Sequence, residues 1–320
     1  MQKSLKQRQC KRYANVPAGI LIVNKPEGET STQVVSKIKK SLNAKKVGHT
    51  GTLDPFATGI VICCINRATK LAQFFLEGDK TYEGVLHLGI DTDTQDKTGK
   101  IITQKELSCQ ESDIKPIFDS FLGEIEQSPP VYSALKHKGV PLYRWAREGK
   151  PIQKPPRKVN IYSLNIQEIS FPYVRFDVRC SSGTYVRTLC ADIGQKLGCG
   201  GHLKDLCRIE SCGYTIKKAL TYEQISAQVS TGTLLSSIVP INEALKEIPR
   251  VVATTVIKRQ VENGGPLFRS NFSKETLDQG NLLQLVTSDK KLLAVVKFST
   301  ESDECKVIRV FKDKKRYAKN

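Results

Sequence analysis

The apolar and polar positions of this chain fall into short, clearly punctuated blocks. ILIVNKP (residues 20–26) is an apolar run ended by a proline turn, which predicts a strand. Thr30 and Gln33 have capping-box spacing. Behind them Val34, Val35, Ile38 and Leu42 share one helical face, with Lys37, Lys39 and Lys40 opposite. IVICCI (60–65) is apolar throughout, as expected of a strand buried on both faces. ATKLAQFFLEG (68–78) predicts a short helix, and KTYEGVLHLG (80–89) a strand with Tyr82, Leu86 and Leu88 on one face. ESDIKPIFDSFLG (111–123) predicts another helix. Strands follow at about 159–169 and 173–180. After Gly183 a helix carries Val186, Leu189, Ile193 and Leu197 on one face and stops at Gly198. Near Pro249 the texture becomes β-rich: residues 280–298 read strand, turn, strand, and KVIRVFK (306–312) a further strand. No internal repeat is present.

Two polar segments interrupt this pattern. DTDTQDKTG (91–99) begins like a calcium loop but has Asp96 where the sixth-position glycine belongs and Ile102 where the closing glutamate belongs. It reads as an acidic solvent loop. Residues 128–158 mix Lys136, Lys138, Arg144, Arg147, Lys150, Lys154, Arg157 and Lys158 with Tyr132, Tyr143 and Trp145, against Glu148 alone. Cations interleaved with aromatics suit phosphate contact with base or ribose stacking; alone, such a segment is equally a solvated basic hairpin.

Charge sharpens the picture. Fifty Lys and Arg against 32 Asp and Glu leave +18, a field that favours a polyanion, nucleic acid before membrane. No apolar run approaches the ~20 residues that span a bilayer. The N-terminal MQKSLKQRQCKRY lacks an apolar core and reads as a disordered basic arm over residues 1–18 rather than a secretory signal. Ten cysteines form no C-x-x-C pair, and the four histidines have no ligand spacing, so reduced thiols and no metal are expected.

The candidate chemistry lies in GHTGTLDPFATG (48–59). Its glycines let the backbone bend and approach a ligand closely. Asp54 precedes Pro55, which fixes a turn. Asp-Pro is by itself a common turn, and the segment lacks the Lys-Ser pair of a nucleotide P-loop. A carboxylate on a stiff loop between a basic helix and a buried strand is as far as spacing leads.

KKVGHTGTLDPFATG resembles the catalytic motif of the TruB family, the bacterial tRNA pseudouridine-55 synthases. GILIVNKPEGETS, KTYEG, SPPVYSALKHKGVPLYRWAREG and CSSGTYVRTLCADIGQKLGCGGHLKDLCR resemble the family's further motifs in the same order. The resemblance is strong over about residues 19–214. It implies an α+β fold with a central mixed, mainly antiparallel sheet flanked by helices, in a catalytic domain at 19–248. It also implies a PUA-like RNA-binding module at 249–320 and a tRNA-contacting insertion at 128–158. It implies isomerisation of uridine to pseudouridine in the T-loop of tRNA by an extruded base, without a cofactor, in the cytoplasm, by a monomer with no obligatory protein partner. Asp54 matches the essential aspartate, Tyr82 the tyrosine packed on the target base, and Arg187 the arginine paired with the carboxylate. His49 matches a histidine that stacks in the opened T-loop, and Tyr185 and Leu206 match pocket residues. Lys25, Lys136, Lys138 and Arg144 are expected to bind substrate. A guanidinium at salt-bridge range is expected to lower the carboxyl pKa of Asp54. The family's Leu-Arg-Arg is here Leu206-Cys207-Arg208, which puts one phosphate contact in doubt. Two other readings share these motifs: a guide-RNA-dependent synthase of the dyskerin type, and an RNA-folding protein whose catalysis is secondary.

Overall fold

The computed structural model describes residues 16–298 and 302–311. Most of the basic N-terminal arm and the basic C-terminal tail lie outside the described residues. The chain forms two compact units, one holding residues 21–237, the other residues 17–20 and the described residues from 238 onward.

The first unit is built on a long twisted sheet. Its strands are β1 (Gly19–Lys25), β2 (Val47–His49), β3 (Thr58–Ile65), β4 (Lys80–Leu88), β5 (Gly123–Gln127), β6 (Arg157–Ser170), β7 (Tyr173–Cys180), β8 (Gly201–Ser211) and β9 (Tyr214–Thr215). Their order is β1-β3-β8-β4-β7-β6-β5, with β2 on β3 and β9 on β8. Every pairing whose register is defined in this unit's sheet is antiparallel except β3 with β8, where Thr58 faces Cys207 and Gly59 faces Arg208. The sheet is therefore mixed and mainly antiparallel, as the family resemblance implied. β3 is the apolar run, and seven of its eight residues are buried.

Helices cover the sheet where their apolar faces predict. α1 (Ser31–Leu42) starts at a capping box: Thr30 Oγ1 accepts from the Gln33 amide, and Gln33 Oε1 accepts from the Thr30 amide. It buries Val34, Ile38 and Leu42, while Val35 lies at the edge of the face. α2 (Ala72–Glu77) is preceded by a 3₁₀ turn, and Lys80 ends it by donating to the carbonyls of Phe75 and Leu76. α3 (Glu111–Asp119) buries Ile114 and Phe118, the latter edge-on to Phe176 at 6.0 Å. Burying each such ring is worth about 1.5–3 kcal/mol. α4 (Leu142–Arg147) follows a tight hairpin at Lys136–His137 and Val140–Pro141. α5 (Val186–Lys196) leaves the end of β7, and its Gly194 packs so close to the Gly200–Gly201 backbone that a Cβ would sit 2.4 Å away.

The segment 91–99 corrects the expectation of a solvent loop. Lys97 N donates to Leu203 O and Leu203 N to Gln95 O, which dock it on β8. Asp96 is only 4 % exposed, because Thr94 Oγ1, Thr98 N and Thr98 Oγ1 satisfy its Oδ1 at 2.8, 2.9 and 2.6 Å. A carboxylate caged by its own threonines can be buried, and its acidic composition hid that.

The second unit contains a five-stranded sheet, in chain order β10 (Arg250–Val252), β11 (Leu267–Phe268), β12 (Leu282–Val286), β13 (Leu292–Phe298) and β14 (Glu304–Val310). Leu283, Leu285, Leu293, Val296, Phe298 and the helix residues Ile257 and Val261 form its core. Among the described residues no helix is long and apolar enough to cross a membrane.

The parallel seam depends on Gly59, whose φ is +102° and whose added Cβ would lie 2.4 Å from Arg208 O. Gly59→Ala should therefore cost more than about 2 kcal/mol in a urea melt. A change within about 0.5 kcal/mol would show that β3 and β8 do not meet this closely.

Candidate active site

The seam is also what assembles the site. β3 and β2 pair antiparallel (His49 with Cys63), so residues 50–57 form the loop between them. Asp54 sits at its tip, and Ala57 N donates to Asp54 O across the Pro55 turn. The loop is gripped from several sides. Leu53 N donates to Ser31 Oγ at 2.9 Å, Gly28 N to Pro55 O at 2.8 Å, and Arg208 to the carbonyls of Ile60 and Gly51 at 2.7 and 3.4 Å. Lys25 Nζ donates to Pro26 O and Pro55 O at 2.9 and 3.1 Å. This corrects the expectation for Lys25 as a substrate contact. It is fully buried and cannot reach an RNA phosphate; its ammonium clamps the loop backbone instead. Burial pushes that ammonium down to about 8 against the pull of Glu29 and Asp54.

Arg187 brings the charges together. It lies in the first turn of α5 and its side chain is 4 % exposed. Nε lies 2.9 Å from Asp54 Oδ2, and Nη1 lies 3.5 Å from Asp96 Oδ2. Nη1 also donates to Thr94 O at 2.8 Å and Nη2 to Tyr132 O at 2.9 Å. Nη1 and Nη2 are hydrogen-bonded while Nε meets Asp54 as an ion pair without a hydrogen bond, so one guanidinium links the Asp54 loop, the 91–99 loop and the start of the basic segment.

The electrostatic outcome differs from the sequence expectation. Burial pushes the Asp54 carboxyl above the ordinary carboxylate range; Arg187 pulls it back, and Asp96 pushes it up further. One guanidinium shared between two acids does not offset desolvation. The Asp54 side chain nonetheless keeps 33 % of its surface, at the mouth of a cavity.

That cavity, 330 Å³, is lined by Asp54, Tyr82, Ser133, Tyr185, Arg187, Leu206 and Arg208, among others. Strand register explains the convergence: across β4 and β8, Tyr82 faces Arg208 and Gly84 faces Leu206. Burial holds the Tyr82 hydroxyl above its usual range, so it stays protonated and presents a ring face and an O–H. Tyr185 is fixed by its backbone, whose N donates to Gln127 Oε1 at 2.7 Å and whose O accepts from Gln127 Nε2 at 3.1 Å. An adjoining 550 Å³ groove is lined by His49, Tyr132, Tyr143 and Arg147, and shares Asp54, Ser133 and Arg187 with the first cavity. Burial and Arg208 hold His49 below the usual imidazole range, a neutral ring suited to stacking.

Of the residues singled out from sequence, Asp54, Tyr82, Tyr185, Arg187 and Leu206 meet at one cavity, and His49 lines the groove beside it. Lys136, Lys138 and Arg144 are exposed on the hairpin and α4, and they line neither cavity. Cys207 alternates with Leu206 and Arg208 along β8 and lines a separate cavity with Thr58 and Glu83. Sequence reasoning missed Asp96, Arg208 and Ser133. Asp96 had a signal, since threonines two residues to either side are what a buried carboxylate needs.

An aspartate tethered by an arginine at the mouth of a 330 Å³ cavity, beside a groove lined by Tyr132, Tyr143 and Arg147, sits on a fold shared with pseudouridine synthases. The family model described as TruB family pseudouridylate synthase (N terminal domain) matches residues 39–186, and that of the tRNA pseudouridylate synthase B C-terminal domain matches residues 187–246. A tRNA pseudouridine synthase B of Syntrophus aciditrophicus is 39% identical over 310 residues, covering 92% of this chain and 99% of the relative. One from Alkaliphilus oremlandii is 44% identical over 261 residues, 82% of this chain and 86% of the relative. Among solved structures, a chain in a crystal structure of a Cbf5-Nop10-Gar1 complex matches with a TM-score of 0.71 at 26% identity, covering 92% of this chain and 85% of that one. The fold and site define a pseudouridine synthase, an isomerase. Within that class, the chain belongs to the TruB family.

Asp54 is lost as a carboxylate when pH falls through its raised pKa, so the acid limb of kcat/KM should lie above the ordinary carboxylate range. Asp96→Asn removes a like charge, favours the ionised form of Asp54 and should move that limb to lower pH. A limb that stays fixed or moves up in single-turnover pH–rate profiles would contradict the shared-arginine electrostatics.

Proposed function

We propose that this enzyme converts uridine 55 in the T-loop of elongator tRNA to pseudouridine. It acts in the cytoplasm as a monomer, without an obligatory protein partner, and requires no cofactor. The observation that carries this reading is the Asp54–Arg187 pair, 2.9 Å apart, at a 330 Å³ cavity that Tyr82 also lines. The relatives that match most of the chain are named for this reaction on tRNA.

The chemistry is an isomerisation. The N1–C1′ bond breaks, a C5–C1′ bond forms, the C5 proton leaves and N1 gains one. No electron pair is lost or supplied from outside. Asp54 supplies the carboxylate at the sugar or ring. Arg187 fixes its direction, and the Tyr82 ring offers a face for the extruded base. Leu206 and Tyr185 complete the walls. His49 stacks in the opened loop, and Lys136, Lys138 and Arg144 contact the phosphates. The second unit serves as a PUA-like RNA-binding module.

The likeness to a Cbf5 chain favours one other reading, a synthase that works inside an assembly. A bare T-arm stem-loop transcript carrying C5-tritiated uridine separates the two. Tritium release by the purified chain alone is expected; release only with added partners would overturn the stand-alone assignment. Asp54→Asn should abolish release while keeping affinity within about threefold, since it deletes chemistry rather than phosphate contacts. Unchanged release would remove Asp54 from the mechanism. Neutralising Lys136, Lys138 and Arg144 together should reduce the slope of log affinity against log salt by about two. An unchanged slope would place that surface off the RNA.

A further inference from the structure

Ser133 is 4 % exposed, and its Oγ has no hydrogen-bond partner among the described residues. A buried hydroxyl left unpaired is costly, and native proteins rarely tolerate one without a reason. Its surroundings supply the reason. Ser133 lines both the nucleotide cavity and the adjoining groove, as Asp54 and Arg187 do. Its position is rigid: Ser133 O accepts from Tyr143 N at 3.1 Å, and the preceding carbonyl, Tyr132 O, accepts from Arg187 Nη2 at 2.9 Å. Ser133 therefore stands where the two spaces meet, its hydroxyl just beneath their shared wall, next to the carbonyl that the Arg187 guanidinium holds.

On the reading that an extruded uridine enters the cavity, the base occupies the inner space beside Tyr82 and the phosphates stay in the groove. The junction is then where the ribose lies. We propose that Ser133 is a substrate-contacting residue whose hydroxyl pairs with the ribose 2′-hydroxyl of the flipped nucleotide. The two groups match: each donates one hydrogen and accepts another, and neither is charged. The contact gives the enzyme a way to recognise RNA at the reacting nucleotide itself, because the 2′-hydroxyl is what separates the ribose from deoxyribose. It also fixes the sugar whose C1′ exchanges partners, while leaving the base free to turn. Ser133 pays in the free enzyme for a bond it makes only with substrate.

The test uses Ser133→Ala in the full-length chain, with Asp54→Asn added for binding so that no turnover occurs. The probes are T-arm stem-loops with uridine or 2′-deoxyuridine at the target position. Removing an unpaired buried hydroxyl should leave the melting temperature of the free enzyme unchanged or slightly higher. Affinity for the uridine stem-loop should fall about five- to tenfold, the worth of one hydrogen bond. On the 2′-deoxyuridine stem-loop the variant and its parent should bind alike. An equal loss on both stem-loops would overturn the ribose assignment. No loss on either, or a lowered melting temperature, would overturn a substrate role altogether. Failure of the parent functional reading shows separately, as absence of tritium release from wild-type enzyme.

Discussion

The site depends on one buried guanidinium facing two carboxylates. Arg187 faces Asp54 with Nε and Asp96 with Nη1, and it donates to the carbonyls of Thr94 and Tyr132. Burying a cation costs several kcal/mol unless it is paired and fully hydrogen-bonded. Here the compensation comes from three segments far apart in sequence, so the ion cluster also fixes the tertiary arrangement of the loops. Removing one member would leave the others charged in a dry place. The cluster thus couples the stability of the site to its chemistry.

The sheet makes this cluster reachable. A parallel seam inside a mainly antiparallel sheet lays Gly59 against Arg208 and so places the end of the Asp54 loop beside β8. The antiparallel neighbour then puts Tyr82 opposite Arg208. Arg208, itself buried, holds two carbonyls flanking the loop, and Lys25 holds a third. Asp54 is thereby presented by a frame of backbone contacts and aimed by one arginine. Pre-organisation of this kind keeps the carboxylate in place before any substrate arrives.

Much of this was legible in the sequence. The apolar run of β3, the capping box of α1 and the face of α5 follow from periodicity and local hydrogen bonding, which act over a few residues. That Asp54, Tyr82 and Arg187 belong together was suggested by ordered motifs, and they line one cavity, although spacing alone left Asp54 as a turn residue. What sequence could not show is what long-range burial does. Lys25 was expected to bind substrate; its ammonium is instead buried on loop carbonyls. Asp96 looked solvated because it sits among other acids; its threonine cage and Arg187 bury it. The guanidinium does pull the Asp54 carboxyl down as expected, but desolvation and a second carboxylate, which appear only once the chain has folded, push it up overall. Ser133 carried no signal, because an unpaired hydroxyl is a property of the packed structure.

The ionisation of Asp54 can be measured without turnover. Carboxyl-¹³C aspartate labelling and NMR titration of the free enzyme, with the Asp54 resonance assigned by its loss in Asp54→Asn, report the group directly. A midpoint above the ordinary carboxylate range is the result expected of a partly desolvated Asp54 that shares one guanidinium with the buried Asp96. A midpoint at or below that range would mean that Arg187 serves Asp54 alone, and the account of the cluster would fail.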